Sequence, residues 1–351
     1  MDRPNRQPTL KSIAKRTGVT ANTVSLALRD SPLVLPQTKA RIQKAARELG
    51  YVHNVLAGSL RSGRSHTIAI LFGDVSNPLF AQRIRELSKS LQQQGYQVLI
   101  LNTEECAKTE SQAIRTAVSH QVDGIILCPC QQGQESLDLL RQYRVPFVFL
   151  GREFLGASAD AVVWDDLEGA RMVTQHLLQM GCRRIVFING PKLISSAILR
   201  QNGYETVMRE AGLVPCTVHA AAMSGSVAGC LETLRKEHAR YDGLFVFSDL
   251  MALEASSWLL QNKFRLPEDV AVAGFDDILS DFNLPFGLTS VACNRKEEAK
   301  AVVKLLLRRI NDPDAAFAVQ RLPVRLVVRD SSHRRAATAN PPLPASAWND
   351  R

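Results

Sequence analysis

A chain of 351 residues, 45% hydrophobic and 22% charged, is long enough for two or three domains with real cores and has the balance of a soluble globular protein. No apolar run approaches a membrane span, and the first residues, MDRPNRQPTL, lack the hydrophobic stretch of a secretory signal, so a cytoplasmic protein is expected. The net charge of +9 is confined to residues 1–66, where twelve Lys or Arg face only Asp2, Asp30 and Glu48; the rest of the chain balances 31 basic against 31 acidic residues. An excess so localised is what phosphate binding by counterion release requires.

That charged segment opens on TLKSIAKRTGVTANTVSLAL, residues 9–28. Leu10, Ile13 and Ala14 share one face of a short helix, Gly18 supplies a left-handed turn, and Thr20 is a good N-cap for a second helix with its own stripe of Val24, Ala27 and Leu28. Two short helices joined by such a turn read as a helix-turn-helix whose second helix enters the major groove. Ala21, Asn22, Thr23, Ser25 and Leu26 are expected on its exposed face. Asn pairs bidentately with adenine, and Ala and Leu touch a thymine methyl. Thr9, Lys11, Arg16 and Thr20 join them as DNA-contacting candidates, Lys11 and Arg16 through phosphate. Pro36 opens a third helix with Ile42, Ala45, Ala46 and Leu49 on one face, ended by Gly50. Residues 1–51 thus form a small three-helix headpiece.

Residues 52–66, VHNVLAGSLRSGRSH, read as a hinge linker with a weak helical centre from Asn54 to Arg61. Gly58 costs it roughly 1 kcal/mol of helix propensity, and so short a helix needs a partner to form. From Thr67 the chain alternates strand and helix, with helices expected over Leu79–Gln94, Thr109–His120, Glu135–Tyr143, Leu167–Met180, Ser195–Ala211, Val227–Glu237, Met251–Gln261 and Lys296–Ile310, and RLPVRLVV as a last strand. Near-continuous apolar strands between helices give an α/β body of parallel sheets covered on both faces. Two such runs imply two lobes with a cleft, spanning 67–330, and ligands bind there beyond the carboxyl ends of the strands. The Ala-, Pro- and Ser-rich tail, 331–351, is expected to be disordered.

In this order, TLKSIAKRTGV, NTVSLAL, ELGYVHNVLAGSL, NPLF, DGIIL, GCRRIVFI, RQNGY, SDLMALEA, VAVAGFDD, LTSV and PVRLVVRDSS make the sequence similar to the lactose-repressor/galactose-repressor family of bacterial transcription regulators over about residues 8–332. The resemblance implies a dimer on a palindromic operator and a body like periplasmic sugar-binding proteins that takes a small effector, a sugar or sugar derivative. It implies that Leu60 wedges into the minor groove at the operator centre, bending the DNA, with Asn54 beside it in the hinge. It also implies that Arg200 and Asp276 contact effector. Several positions depart from the family: Leu35 stands where a Ser usually caps the third helix, His53 for a Pro, Gly58 for a helix former, Asp166 for an Asn, Cys182 for a His and Cys293 for a Gln. These leave the effector's identity open.

In the cleft, carboxylates and a guanidinium suit hydroxyls that both donate and accept, which adds Asn77 and Asp249 to Arg200 and Asp276; Phe80 or Trp164 can stack on a sugar face. Cys128-Pro129-Cys130 has no companion pair for zinc, and no phosphate loop or catalytic constellation appears, so no metal, cofactor or enzymatic activity is expected. A plain sugar-binding receptor feeding a transporter is the alternative; the absent signal peptide and the basic headpiece argue against it, and the missing constellation argues against a sugar-modifying enzyme.

Overall fold

The computed structural model describes residues 8–28, 30–51, 64–220, 225–281 and 287–333. The chain forms two compact units, Met1–Ser65 and His66–Arg351.

In the first unit, α1 (Leu10–Thr17) starts at Thr9 in a capping box: Thr9 Oγ1 accepts from Ser12 N and Ser12 Oγ accepts from Thr9 N. Gly18 ends it at φ 68°, its N–H donating to Ala14 O. Thr20 Oγ1 accepts from Thr23 N at the start of α2 (Ala21–Leu28). With Leu at position 35, α3 (Pro36–Glu48) has no side-chain cap and relies on Pro36 at its first turn. Ile13, Val24, Ala27, Val34, Ile42, Ala45 and Ala46 make the core of this unit.

The second unit begins at β1 (Thr67–Phe72), followed by α4 (Pro78–Gln93), β2 (Gln97–Asn102), α5 (Ala107–Ser119), β3 (Gly124–Leu127), α6 (Glu135–Tyr143), β4 (Phe147–Leu150) and β5 (Ala161–Trp164). The chain then builds α7 (Asp166–Gln179), β6 (Ile185–Asn189), α8 (Ser195–Glu210), β7 (Cys216–His219), α9 (Val227–Lys236), β8 (Gly243–Val246), α10 (Asp249–Gln261), β9 (Ala271–Phe275), a 3₁₀ turn (Ile278–Asp281) and β10 (Thr289–Cys293). It closes with α11 (Arg295–Asn311), β11 (Val319–Leu322) and β12 (Val324–Val327). The strands form two sheets, β11-β5-β4-β3-β1-β2 and β12-β10-β9-β8-β6-β7. In β1, Ile68, Ile70 and Phe72 enter one apolar cluster and Ala69 and Leu71 another, so the sheet is buried on both faces.

Three expectations are corrected. The stretch RLPVRLVV is two strands rather than one: Pro323, with no N–H to give a ladder, separates β11, parallel to β5 in the first sheet, from β12 in the second. β12 pairs antiparallel with β10, so the second sheet is not wholly parallel. The stretch expected to be disordered from Ser331 is ordered at its start. Ser331 Oγ donates to Val272 O and accepts from Thr289 N, while Ser332 Oγ bonds Thr289 Oγ1 and His176 Nε2. Both serines are fully buried, so the body runs through them, and 334–351 lie outside the described residues.

The lobes are not consecutive in sequence. After β10 the chain returns to the first lobe as α11, where Leu306 and Ile310 pack against Gly124 and Arg309 Nε donates to Asp160 Oδ2 at 2.8 Å. It crosses between lobes after Trp164, after Cys293 and at Pro323.

Candidate functional site

Within the first unit, Asn22 is exposed on α2, and Ala21, Thr23 and Leu26 are half-buried, Leu26 packing on the core. Ser25 is buried at 8% exposure, which corrects its placement on the base-facing surface: it follows the core-facing Val24, and its side chain is too short to clear the surrounding surface. Thr9 and Thr20 spend their hydroxyls on the helix caps. Lys11 is exposed, whereas Arg16 Nη2 pairs with Glu48 Oε2 at 2.7 Å, so phosphate must compete for it. Asn54 and Leu60 lie outside the described residues.

In the body, the segments beyond the strands of both lobes line two neighbouring cavities. The inner one, about 40 Å³, is walled by Asn77, Phe80, Trp164, Arg200 and Asp276 of the expected set, and by Arg83, Arg152 and Asp166 besides. It has room for a few waters and none for a sugar ring. The lobes are closed over it: Gln82 Nε2 donates to Ile278 O, Ser195 N to Gln131 Oε1, and Glu153 N to Ser195 Oγ. The outer cavity, about 880 Å³, is lined by Asp74, Glu104, Glu105, Gln131, Lys192 and His219 among others.

Arg200 is held on every side. Nε donates to Asp166 Oδ1 at 2.8 Å, Nη1 donates to Phe247 O, and Nη2 stands 3.8 Å from Asp276 Oδ1. Its guanidinium carbon lies over the rings of Phe275 and Phe247, 3.5 and 4.5 Å from their centroids. Arg83 forks onto Glu298 through Nε and Nη2 and covers Trp164 at 4.6 Å. Burial pushes the Asp276 carboxyl up to about 6, with Arg200, Arg83 and Arg295 pulling against it. Burial raises Asp166 as well, partly offset by Arg200.

Asn77 caps α4, its Oδ1 accepting from Leu79 N, and Phe80 stacks on Phe72 at 5.0 Å. Trp164 cannot offer a face to a sugar as expected, because Arg83 covers it and Phe275 stacks at 6.3 Å. What it brings is a buried indole N–H with no acceptor. Asp249 is the second correction among the effector candidates. It is fully buried off the cavity wall, Oδ1 accepting from Ser290 Oγ at 2.6 Å and Oδ2 from Ile278 N at 2.9 Å. A Cβ on Gly274 would stand 2.3 Å from Oδ1, so that glycine makes the room. Asp249 thereby anchors the turn on which Asp276 and Asp277 sit at φ 108° and 51°. Cys128 and Cys130 are buried thiols pushed up by burial, Cys128 to about 11 and Cys130 to about 12. Among the described residues no cluster of His, Cys, Asp and Glu is arranged to hold a metal ion.

Residues 9–54 match the profile described as bacterial regulatory proteins, lacI family, and residues 174–332 match that of the periplasmic binding protein-like domain. The chain belongs to the lacI family of bacterial regulatory proteins. The Ribose operon repressor of Escherichia coli (strain K12) is 29% identical over 310 residues, 87% of this chain and 94% of that protein. The transcriptional repressor PurR of Aliivibrio fischeri (strain ATCC 700601 / ES114) is 29% identical over 336 residues, 93% and 99% of the two chains. Among solved structures, a complex of the regulator CelR with cellobiose is 27% identical at a TM-score of 0.70, covering 92% of this chain and 99% of that one. The lac repressor dimer bound to operator shares the fold at a TM-score of 0.83 and 22% identity over 93% of this chain and 99% of that one.

Sequence reasoning missed Arg83, Arg152 and Glu298 in this lacI-family regulator. Arg83 carried a usable signal, because it falls three residues after Phe80 and four before Leu87 on the buried stripe of α4, where a charge needs a partner. Its partner is 215 positions away, beyond any local pattern.

Proposed function

We propose that this lacI-family regulator is a repressor that binds a palindromic operator as a homodimer and is controlled by a sugar or sugar derivative held between the lobes of its body. The observation that carries the reading is the cleft's polar set, Arg200 with Asp166 and Asp276, on a body joined in one chain to a helix-turn-helix that holds the whole charge excess. In relatives of similar identity the names speak of ribose and sucrose operons, and the CelR structure contains cellobiose. Regulators of this family are not enzymes.

Residues 1–51 are assigned to DNA binding, with Asn22, Ala21, Thr23 and Leu26 toward base edges and Lys11 toward phosphate; 52–66 act as the hinge, with Asn54 and Leu60 at the minor groove. The body binds effector through Asn77, Phe80, Trp164, Arg200 and Asp276, once the lobes part. The edge strand β2 leaves Ile100 45% exposed, an apolar edge suited to a second copy. No helix among the described residues is long and apolar enough to cross a membrane; DNA as partner supports the reading of a cytoplasmic protein. Nuclease footprinting on the promoter regions, repeated with sugars added, tests the reading: a two-fold symmetric protected site that one sugar class releases or strengthens supports it. Protection of no site, or a site indifferent to every compound that binds the body, contradicts it.

A further inference from the structure

The ion pair between Arg152 and Glu105 forms the wall between the two cavities, and it differs from every other pair in the cleft. Arg152 is buried at 4% exposure and lines the inner pocket, while Glu105 lines the outer cavity. The guanidinium forks onto the carboxylate, Nη1 to Oε2 at 2.7 Å and Nη2 to Oε1 at 2.9 Å, and Nη1 also donates to Pro129 O. The carboxylate comes from a turn built against local preference. Glu104 and Glu105 both have positive φ, 57° and 50°, in a turn closed by Cys106 N donating to Thr103 O, where Asn-Gly is the usual sequence. Gly73 admits it, since a Cβ there would meet Glu105 Oε1 at 2.1 Å.

The other carboxylates set against the cleft arginines are more deeply buried. The side chains of Glu298, Asp166 and Asp276 are 2%, 3% and 8% exposed, whereas that of Glu105 is 23% exposed and abuts the larger cavity. Three arginines, Arg83, Arg152 and Arg200, line the inner pocket with Trp164, against Asp166 and Asp276. The wall is therefore rich in donors, and one of its guanidiniums has an exchangeable partner. We propose that the effector of this regulator is a sugar derivative carrying a carboxylate or phosphate, and that this anion takes Arg152 from Glu105. This rests on the sugar-class reading above and narrows it. The fork of Arg152 matches a planar carboxylate or two phosphate oxygens equally well. A displaced Glu105 has the outer cavity to enter, with Lys192 of the other lobe on its wall, so anion binding alters the charge balance between the lobes.

Calorimetric titration of the full-length protein with D-gluconate, D-glucuronate and D-glucose 6-phosphate, beside neutral D-glucose and D-ribose, tests this; the acids and the phosphate separate the two anion sources. The wild type should bind at least one anionic compound, with its neutral parent about tenfold weaker or worse. Glu105→Gln removes the competing carboxylate and should tighten that anion about tenfold while leaving neutral sugars unchanged. Arg152→Gln should weaken it by about tenfold or more, and Arg152→Lys, which keeps the charge but not the fork, should fall between. Thermal melting checks that each variant folds, and Glu105→Gln carries the test alone if the Arg152 variants do not. Binding of a neutral sugar alone, or anion binding unchanged or weakened by Glu105→Gln, overturns the proposal while leaving the sugar reading standing. If no compound of the panel binds, both fall.

Discussion

Arg200 is tied to Asp166 at 2.8 Å and only loosely to Asp276, at 3.8 Å. Asp166, a position where relatives of this resemblance commonly carry Asn, thus supplies the structural counter-ion. Asp276 has only that longer contact and lines the inner cavity.

Removing Arg200 leaves both carboxylates buried without it. Arg200→Ala should therefore destabilise the body by about 3–5 kcal/mol as well as abolish effector response. Denaturant unfolding checks it; an unchanged midpoint would mean that the carboxylates find other partners.

Asp276→Asn separates binding from folding. Because the folded carboxyl titrates at about 6, above its ordinary range, the native state holds the proton more tightly than the unfolded chain. The cost of ionising it is absent at acid pH, grows as pH rises from about 4 to about 6, and reaches a few kcal/mol above that. Asp276→Asn should then be more stable than wild type at pH 8, by an amount that shrinks toward pH 4, and should lose effector affinity. Melting curves across pH read the first effect. A variant less stable than wild type at pH 8 would show that the carboxylate is structural.

Asp249→Ala should do the reverse. It leaves two buried donors, Ser290 Oγ and Ile278 N, without their acceptor. The expected loss is about 1–3 kcal/mol of body stability, with direct ligand contacts intact. Effector affinity lost without any loss of stability would return Asp249 to the cavity wall.

On the DNA side, Asn22→Ala should cost roughly 1–3 kcal/mol on operator and relax preference at one base pair per half-site. Lys11→Ala should weaken operator and random DNA alike and flatten the log–log salt slope by about 0.9 per protomer. Glu48→Gln frees Arg16 from its 2.7 Å partner and should tighten both DNAs without changing their ratio. Binding isotherms at several salt concentrations distinguish these; equal losses on both DNAs for Asn22→Ala would remove it from base reading.

Headpiece and alternating body were legible because each rests on local pattern: a cap, a glycine turn, a 3.6-residue stripe, an apolar strand of four to six residues. Pro323 was visible too, but not its consequence, since assigning β11 and β12 to different sheets requires knowing that α11 returns to the first lobe. Arg200 and Asp276 were named through resemblance, and the geometry adds what resemblance lacked: the two rings that Arg200 lies over and the turn that Asp249 pins. Ser25 and Asp249 were misplaced for one reason. Polarity suggested exposure, whereas Ser25 fits a small seam and Asp249 finds two donors. Arg83–Glu298 and Arg152–Glu105 join residues 215 and 47 positions apart, which no periodicity reports.

The central claim, that one ligand in the cleft controls DNA binding, is tested most directly by a linkage measurement. Operator affinity is measured with and without saturating effector, and effector affinity with and without saturating operator, using full-length protein. The account predicts the same factor in both directions, on the order of 5–150-fold, and its loss in Asp276→Asn. A bound effector that leaves operator affinity unchanged, or coupling that survives intact in Asp276→Asn, would contradict it.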